Sequence, residues 1–455
     1  MTRRSLLQLP MAAVGLKSSL VGQQSRRPNI LLLITDQQSN FALSANGNRY
    51  LHTPAMDSLV ADGVSFCNAY CTYPVCSPAR SSIFTGRLPH ETGVRVNGQP
   101  VREGVPAMGE VFRAVGYRTV YGGKWHLPRV FGGVVGFEEL IGGSALGARM
   151  DEPLASACVD FLSEKPREPF LLVASFMNPH DICDWIRGHR GSRRHPNLAA
   201  YPPAPANMAV DPDEPEYVQY HRTTPYDRMS EAVTIAGEWN VEDVRQYLHG
   251  YYRLVEDVDR QIGRVLAALR AAGLDRNTLI ALTADHGEGM GAHRWAQKAA
   301  FWEEAAKAPL VIAGAGVRRR GVVDQHSLVS CLDILPTLCD FTGVAPPEGV
   351  RGQSLRSAIE GAGDRRPFVV SELSEFGGKD RQGRMLRTQC YKYIAFNGGK
   401  RPEQLFDLKL DPGEVYNLVR RPEETAVLAE HRALLARWIA DTGDDFRMPL
   451  AGGGG

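Results

Sequence analysis

The sequence has no internal repeat and, after its first residues, no apolar run long enough to cross a lipid bilayer. These absences exclude a repeat architecture and a stable membrane span in the mature region. An excess of one charge is missing too, since 52 Lys and Arg residues are balanced by 51 Asp and Glu residues. The chain therefore has no overall attraction for nucleic acid or for a membrane surface, and any affinity for anions must be local.

The eight cysteines include no Cys-x-x-Cys pair, and this absence argues against a structural zinc site. Disulfides between Cys67 and Cys71, or between Cys331 and Cys339, are open alternatives if the protein is exported.

The N-terminal segment predicts export. Arg3 and Arg4 precede a short apolar stretch that ends near Leu16. This arrangement resembles a bacterial twin-arginine signal, whose apolar region is too short for a membrane helix. We expect residues 1–26 to form the signal and the mature protein to be periplasmic or extracellular. The alternative is a frayed basic helix.

Several runs that are almost continuously apolar and rich in β-branched residues predict buried strands. They cover residues 30–35, 117–121, 170–176 and 278–283. Helical stretches separate them, and the clearest covers residues 241–272, where apolar residues recur at helical spacing. This alternation predicts an α/β fold with a large, mostly parallel sheet sandwiched by helices.

The pattern changes near Pro367, where short strands and Gly-rich or Asp-rich turns predict a small antiparallel sheet closed by a helix over residues 422–440. We therefore expect a large α/β domain over residues 27–365, a smaller α+β subdomain over residues 366–448 and a disordered tail over residues 449–455. Residues 184–235 are polar and Pro-rich, which predicts a lid or loop with little regular structure. The basic cluster at residues 187–195 is either a solvated surface or a clamp for an anionic substrate.

Each of the four predicted strands is followed by polar or ionisable residues. They are Asp36 and Gln37 after the first strand, Lys124 and His126 after the second, His180 after the third, and Asp285 and His286 after the fourth. Any one of them is explained by a turn or a helix cap. Ligands of parallel α/β sheets bind beyond the carboxyl ends of the strands, so together these residues predict one site.

A further segment, CSPARSSIFTG, runs from Cys76 to Gly86. Pro78 suits the first turn of a helix, which would place Cys76 at a helix N-terminus, where amide groups and the helix dipole favour anions. Arg80 lies one turn further on the same face and is placed to hold position 76 or an anion's oxygen. The alternative is an ordinary buried cysteine at a helix start.

This segment resembles the signature of type I sulfatases of the alkaline phosphatase superfamily, Cys/Ser-x-Pro-x-Arg-x-x-x-x-Thr-Gly. Other sulfatase-like segments follow in the expected order at residues 123–126, 178–180, 285–287 and 298–309, and the similarity covers roughly residues 28–420. The resemblance implies that a formylglycine-generating enzyme oxidises Cys76 to formylglycine. The hydrated aldehyde then attacks the sulfur of an organic sulfate ester, and a base assists the release of sulfate.

The resemblance also implies a divalent cation, for which we expect Ca²⁺ with Mg²⁺ or Mn²⁺ as alternatives. Its ligands would be Asp36, Gln37, Asp285 and His286, together with the residue at position 76. Many sulfatases have a second Asp in place of Gln37 and Asn in place of His286, so this site would be less negative and slightly softer.

Five further residues complete the implied catalytic set. Lys124, His126, His180 and Lys298 would surround the sulfate, and Arg80 would hold position 76 or a sulfate oxygen. His126 is similar to the base that assists collapse, whereas His180 and Lys298 are similar to donors to the leaving oxygen. The match is weaker at Lys298.

We therefore interpret the protein as a sulfatase that acts on an organic sulfate ester, with a sulfated carbohydrate as the expected substrate. A phosphonate or phosphate ester hydrolase of the same superfamily is the nearest alternative, since Lys124, Lys298 and Arg80 would serve either anion. An alternative of another class is a non-catalytic binder of sulfated glycans in which Cys76 stays unmodified.

Overall fold

Two β-sheets organise the molecule, one of eight strands and one of four. The computed structural model describes residues 27–128, 134–143, 146–188, 201–362, 366–374 and 381–449. The predicted export signal at residues 1–26 and nearly all of the predicted tail at 449–455 lie outside the described residues. The domain boundary after residue 365 stays a prediction.

The large sheet has the order β4-β3-β5-β1-β6-β7-β2-β8, and β7 alone among these strands runs antiparallel to its neighbours. The mostly parallel sheet predicted from the sequence is thus confirmed. Its strands are β1 (Asn29–Asp36), β2 (Gly63–Tyr70), β3 (Arg118–Gly123), β4 (Glu138–Gly142), β5 (Phe170–Pro179), β6 (Thr278–Ala284), β7 (Leu310–Gly314) and β8 (Val322–Ser330).

The four strands predicted from apolar runs are β3, β5, β1 and β6, and they lie side by side at the centre of this sheet. Every residue of β1 is buried. Ile30 and Leu32 belong to the core on one face, and Leu31 and Leu33 to the core on the other. Because both faces are covered, the strand reads as a continuous apolar run and not as an alternating one.

The described residues also form helices, which pack on both faces of the large sheet and on the small sheet. They are α1 (Pro54–Ala61), α2 (Cys76–Thr85), α3 (Pro89–Thr92), α4 (Met108–Ala114), α5 (Gly147–Ser163), α6 (Ile182–Gly188), α7 (Glu216–Thr223), α8 (Arg228–Gly237), α9 (Val241–Ala271), α10 (Glu303–Ala306), α11 (Ile334–Thr342), α12 (Arg356–Glu360) and α13 (Thr425–Thr442). The helix predicted over residues 241–272 is α9. It begins after Asn240, whose side chain accepts hydrogen bonds from the backbone N–H groups of Glu242 and Asp243. In the described part of the chain, none of these helices combines the length and apolarity needed to cross a membrane.

The small sheet is antiparallel, as predicted, with the order β12-β11-β10-β9. Its strands are β9 (Val369–Ser374), β10 (Gln382–Arg387), β11 (Tyr391–Phe396) and β12 (Glu403–Asp407). One face packs against α13 through Leu428 and Leu435. The other face meets the region around α10, where the buried Lys392 forms an ion pair with Glu303 at 2.7 Å. This contact fixes the small sheet beside the chain segment that follows β6.

The expectation of little regular structure over residues 184–235 is wrong at its start, where α6 extends to Gly188, and for its second half. Residues 216–223 and 228–237 form α7 and α8. Tyr217 and Val233 from these helices pack into the apolar cluster between the two sheets, and Asp227 caps α8. Tertiary packing thus supplies the stability that the weak sequence periodicity did not reveal. Residues 189–200, which include most of the basic cluster, lie outside the described residues.

The two-sided burial of β1 predicts a large effect of shortening one of its side chains. We expect Leu32→Ala to lower the free energy of unfolding by about 2–5 kcal/mol, because Leu32 is fully buried and its removal leaves a cavity. Leu410→Ala is the matched control, because Leu410 is 83% exposed. Denaturant unfolding measures the loss of unfolding free energy in both variants. Equal losses would contradict the assignment of Leu32 to the core.

Candidate active site

The site begins at the N-terminus of α2. Cys76 is the first residue of this helix and is fully buried, and Val75 before it is extended. No side chain caps the helix at Val75, although the N–H of Ser77 donates to Asn97 Oδ1 at 2.9 Å. The free end of the helix dipole is therefore directed at the position of Cys76, where it favours negative charge.

Two buried carboxylates approach Cys76 from neighbouring strands. Asp36 ends β1 and Asp285 directly follows β6. Arg80 joins them, because its Nη2 donates to Asp36 Oδ2 at 2.9 Å and its Nε to Asp285 Oδ2 at 2.8 Å. The same guanidinium donates to the backbone oxygen of Lys124 at 2.6 Å and to Ser175 Oγ at 2.8 Å. Arg80 is thus a bridge between the two carboxylates, and none of its hydrogen bonds to described residues goes to Cys76.

The remaining carboxylate oxygens lie beside Cys76 and His286. Ligand atoms of Asp36, Cys76, Asp285 and His286 all lie within 4.8 Å of one another, a group able to hold a metal ion. Cys76 Sγ is 3.8 Å from Asp36 Oδ1 and 3.3 Å from His286 Nε2. His286 Nδ1 lies 2.8 Å from the carbonyl oxygen of Gly287. Since a carbonyl only accepts, Nδ1 carries a proton, and Nε2 is the ring nitrogen that faces the group.

Gln37 lies at the edge of this group in a left-handed backbone conformation, with φ 67°. Its carbonyl oxygen accepts a hydrogen bond from Tyr251 at 2.7 Å, and its N–H donates to Asp285 Oδ1 at 3.0 Å. Its side-chain oxygen accepts from Lys298 Nζ at 2.9 Å. Backbone contacts on both sides of the residue therefore fix the direction of its side chain.

Cationic and imidazole groups complete the surroundings of Cys76. Its Sγ lies 3.0 Å from Lys298 Nζ and 3.6 Å from Lys124 Nζ, and it also makes hydrogen bonds with the side chains of His126 and His180. Burial raises the pKa of the Cys76 thiol, but Lys124, Lys298 and His286 outweigh burial and bring it well below its usual range. The site therefore stabilises negative charge at position 76.

Burial and neighbouring charges also shift the pKa of Asp36 and of His180. Burial and Cys76 raise the pKa of Asp36, but Lys124, His180 and Arg80 outweigh them and hold it well below its usual range. Lys124 Nζ lies 2.6 Å from Asp36 Oδ2. Desolvation, with Lys124 and Lys298, lowers the pKa of His180 to about 4, so its imidazole is neutral at neutral pH. A neutral imidazole still donates one N–H.

A cleft of about 900 Å³ opens in front of these groups. Its lining includes four residues predicted for the site and a second set that the sequence did not indicate. The first set is Lys124, His126, His180 and Lys298, and the second includes Asn97, Tyr220, Tyr226, Arg228 and Met229. Arg187, the first residue of the predicted basic cluster, also lines the cleft. Every residue that the sequence predicted for the site therefore lies either in the buried group around Cys76 or on the wall of this cleft.

Sequence reasoning missed Glu288. It is fully buried, and its carboxylate accepts hydrogen bonds from Gln37 Nε2, Tyr247 OH and the backbone N–H of Gln297. The residue lies within the segment that follows β6, directly after Gly287, so its position was visible in the sequence. Its burial and its contact with Gln37 were not.

All eight cysteines are free, so neither of the two disulfide alternatives is formed.

Comparison with known proteins agrees with this geometry. The sequence profile of the Sulfatase family matches residues 28–344, well over half of the chain. The chain belongs to the sulfatase family. A second profile, described as N-sulphoglucosamine sulphohydrolase, C-terminal, matches residues 291–441 of this sulfatase. Together the two matches include β1, α2, β6 and the small sheet.

Individual relatives resemble this sulfatase over nearly its whole length. A Delta 4,5-hexuronate-2-O-sulfatase of Bacteroides thetaiotaomicron is 35% identical and covers 93% of this chain and 91% of its own. An ulvan-active sulfatase of Formosa agariphila is 29% identical, and the match covers 95% of this chain and 85% of its own. A solved structure described as a 2-O GAG sulfatase matches with a TM-score of 0.85 and 33% identity, over 94% and 95%. This protein is therefore a sulfuric ester hydrolase with the alkaline phosphatase-like fold.

The Arg80 bridge generates a prediction about stability. We expect Arg80→Leu to lower the free energy of unfolding by about 3–5 kcal/mol in the presence of chelator, because it leaves two buried carboxylates without their shared counter-charge. Denaturant unfolding measures this loss. The control Arg260→Leu removes an exposed ion pair with Asp257 and should change stability by less than about 0.5 kcal/mol. A loss below about 1 kcal/mol at Arg80 would show that the carboxylates do not depend on the bridge.

Proposed function

We propose that this sulfatase removes sulfate from a sulfated carbohydrate, using a formylglycine derived from Cys76 and one divalent cation. The observation that carries the proposal is the convergence on Cys76 Sγ of two carboxylates, an imidazole and two lysines. The thiol marks the place at which the modified side chain would carry its nucleophilic oxygen.

The residues of this site fit a cation. Asp36, Asp285 and His286 present ligand atoms within 4.8 Å of one another around Cys76, and Gln37 adds an amide oxygen at the edge of the group. Oxygen ligands in the majority favour a hard cation, and Ca²⁺ is our assignment ahead of Mg²⁺ or Mn²⁺. A cation held there would neutralise charge on the sulfate and lower the pKa of the nucleophile.

The chain's own side chains have separable tasks in this proposal. Lys124 and Lys298 bind sulfate oxygens, because both ammonium groups already lie within 3.6 Å of Cys76 Sγ. His126, on the wall of the cleft, accepts the proton when the sulfated nucleophile collapses. His180 donates its N–H to the leaving oxygen, a task that suits its neutral imidazole. Arg80 keeps Asp36 and Asp285 oriented.

The cleft in front of the site supports a carbohydrate that carries a second anionic group. Tyr220 and Tyr226 stack with ring centroids 5.7 Å apart, and both line the cleft. Arg228 is exposed on the same wall and forms no ion pair with any residue that the structure describes. Aromatic rings suit the apolar face of a sugar, and a free guanidinium suits a carboxylate or a further sulfate. The names of the relatives, a hexuronate sulfatase and an ulvan-active sulfatase, point to the same substrate class.

We further propose that the protein is exported and is matured by a formylglycine-generating enzyme. The paired arginines Arg3 and Arg4 before a short apolar stretch support export. The Cys-x-Pro-x-Arg pattern at residues 76–80 supports maturation, since it is the sequence that the family resemblance connects with formylglycine.

Conversion of Cys76 is directly testable. Protein co-expressed with a formylglycine-generating enzyme should yield a peptide in which the thiol of residue 76 is replaced by an aldehyde, and this fraction should scale with hydrolysis of an aryl sulfate. Cys76→Ala should reduce the activity to background while the protein stays folded. Cys390→Ser is the control, because Cys390 is partly exposed and lies outside the site. Full activity in protein whose residue 76 is entirely thiol would contradict the proposal.

The second anion predicts a specific effect of Arg228. We expect Arg228→Ala to raise the KM for a sulfated disaccharide with a uronate by about tenfold or more, because one charged hydrogen bond is lost. The kcat/KM for a small aryl sulfate should stay within about threefold of the unmodified enzyme, since that substrate has no group to reach Arg228. Steady-state kinetics on both substrates measures the difference, with Arg260→Ala as surface control. Equal effects on the two substrates, or none, would reject the second-anion site.

A further inference from the structure

Glu288 is a buried acid that the proposed mechanism leaves without a task. Its residue is fully buried, three positions after Asp285. Both of its carboxylate oxygens are occupied, Oε1 by Tyr247 OH and the N–H of Gln297, and Oε2 by Gln37 Nε2. A carboxylate with both oxygens engaged in this way is not free to bind a cation itself, so its influence on the site must pass through a neighbour.

The contacts of Glu288 come from groups that donate. The side-chain N–H of Gln37 and the backbone N–H of Gln297 can only donate. The Tyr247 hydroxyl also donates to Glu288, which is its only carbonyl or carboxylate partner among the described residues. An ionised carboxylate accepts from all three, whereas a protonated one would need an acceptor. The geometry therefore places three donors on the Glu288 carboxyl group, and one of them is the side-chain amide of Gln37.

The orientation of the Gln37 amide follows from Lys298 and Glu288. The third neighbour, Cys183 Sγ, lies near both ends of the amide, 3.4 Å from Nε2 and 3.5 Å from Oε1, and favours neither orientation. Lys298 only donates, and its Nζ lies 2.9 Å from Gln37 Oε1. Glu288 only accepts when it is ionised, and it lies against Gln37 Nε2. Reversing the amide would place nitrogen against ammonium and oxygen against carboxylate, two repulsive contacts in a buried site. Glu288 and Lys298 thus hold the amide in a single orientation.

We propose that Glu288 is a positioning residue that fixes the Gln37 side chain with its oxygen towards Lys298 and the cation-binding group. This inference rests on the proposed metal site and adds a residue to its support. The oxygen and the NH2 group of an amide are nearly equal in shape, so Gln37 needs a partner that fixes which of them faces the cation-binding group. A carboxylate in the same place would present oxygen in either orientation. Interactions of this kind, one residue behind a ligand, typically change metal affinity by 10–100-fold.

The experiment measures binding of Ca²⁺ and catalysis separately. Calorimetry on the full chain with an unmodified Cys76 gives Ca²⁺ affinity, and kinetics on the matured enzyme gives the Ca²⁺ concentration for half-maximal hydrolysis of an aryl sulfate. For Glu288→Gln we expect both values to weaken by about 10–100-fold. The kcat at saturating Ca²⁺ should stay within about threefold, a separation that a general loss of folding would not produce.

Reciprocal exchange of charge distinguishes positioning from packing. The double variant Gln37→Glu with Glu288→Gln keeps one carboxylate and one amide in contact, and it should recover Ca²⁺ affinity to within about tenfold of the unmodified protein. If Glu288→Gln alone does not fold, the double variant should still fold and bind. Glu304→Gln is the matched control, because Glu304 is a neighbouring acid that hydrogen-bonds Asn207 at 3.0 Å and makes no contact with Gln37; its Ca²⁺ affinity should be unchanged.

The outcomes separate this inference from the function on which it rests. If the unmodified protein binds Ca²⁺ and Glu288→Gln binds it equally well, the positioning role is overturned while the metal site stands. A double variant that fails to fold or to bind overturns it as well. If the unmodified protein binds no divalent cation and needs none for hydrolysis, the proposed metal site fails and this role fails with it.

Discussion

The buried ion pairs of Arg80 with Asp36 and Asp285 hold together the candidate active site. Oxygen atoms of the two carboxylates lie within 4.8 Å of each other, which corresponds to a repulsion of roughly 3.5 kcal/mol or more at an effective dielectric constant of about 20. The guanidinium offsets this repulsion from one side only, through the two Oδ2 atoms. The opposite oxygens face Cys76 and His286, which leaves them placed as ligands for a cation.

The architecture of the large sheet explains how groups so distant in sequence meet. Strands β3, β5, β1 and β6 are neighbours and parallel, so the chain leaves all four at the same edge. Helix α2 directs its N-terminus at this edge, and its Arg80 reaches across two strands to the backbone that follows β3. Each polar group is therefore attached to rigid secondary structure, and the loops supply mainly the wall of the cleft. Electrostatic stabilisation depends on such rigidity, because donors that are fixed in advance need no rearrangement during the reaction.

Prediction from the sequence was accurate where a single physical factor dominates. Burial on both faces makes β1 and β6 continuous apolar runs, and the carboxyl ends of such strands are where ligands bind, so Asp36 and Asp285 were identifiable from their position alone. The direction of the Arg80 side chain was not, because helical spacing gives the face of a helix but not the partner across it. Glu288 escaped for a similar reason, since a charged residue in a loop reads as solvated unless its burial is known. Helix α8 has few periodic residues and forms because its neighbours pack against it.

The burial of Cys76 constrains the order of folding and modification. Its side chain has no exposed surface, and it is enclosed by residues from β1, from the segment after β3 and from the segment after β6. An enzyme that oxidises this thiol needs access to the residues around it, including Pro78 and Arg80, which are themselves fully buried in the helix. Access would require α2 to leave the sheet, which breaks both Arg80 ion pairs and exposes the core beneath. If Cys76 is matured as proposed, its oxidation therefore has to precede the packing of α2 against the sheet.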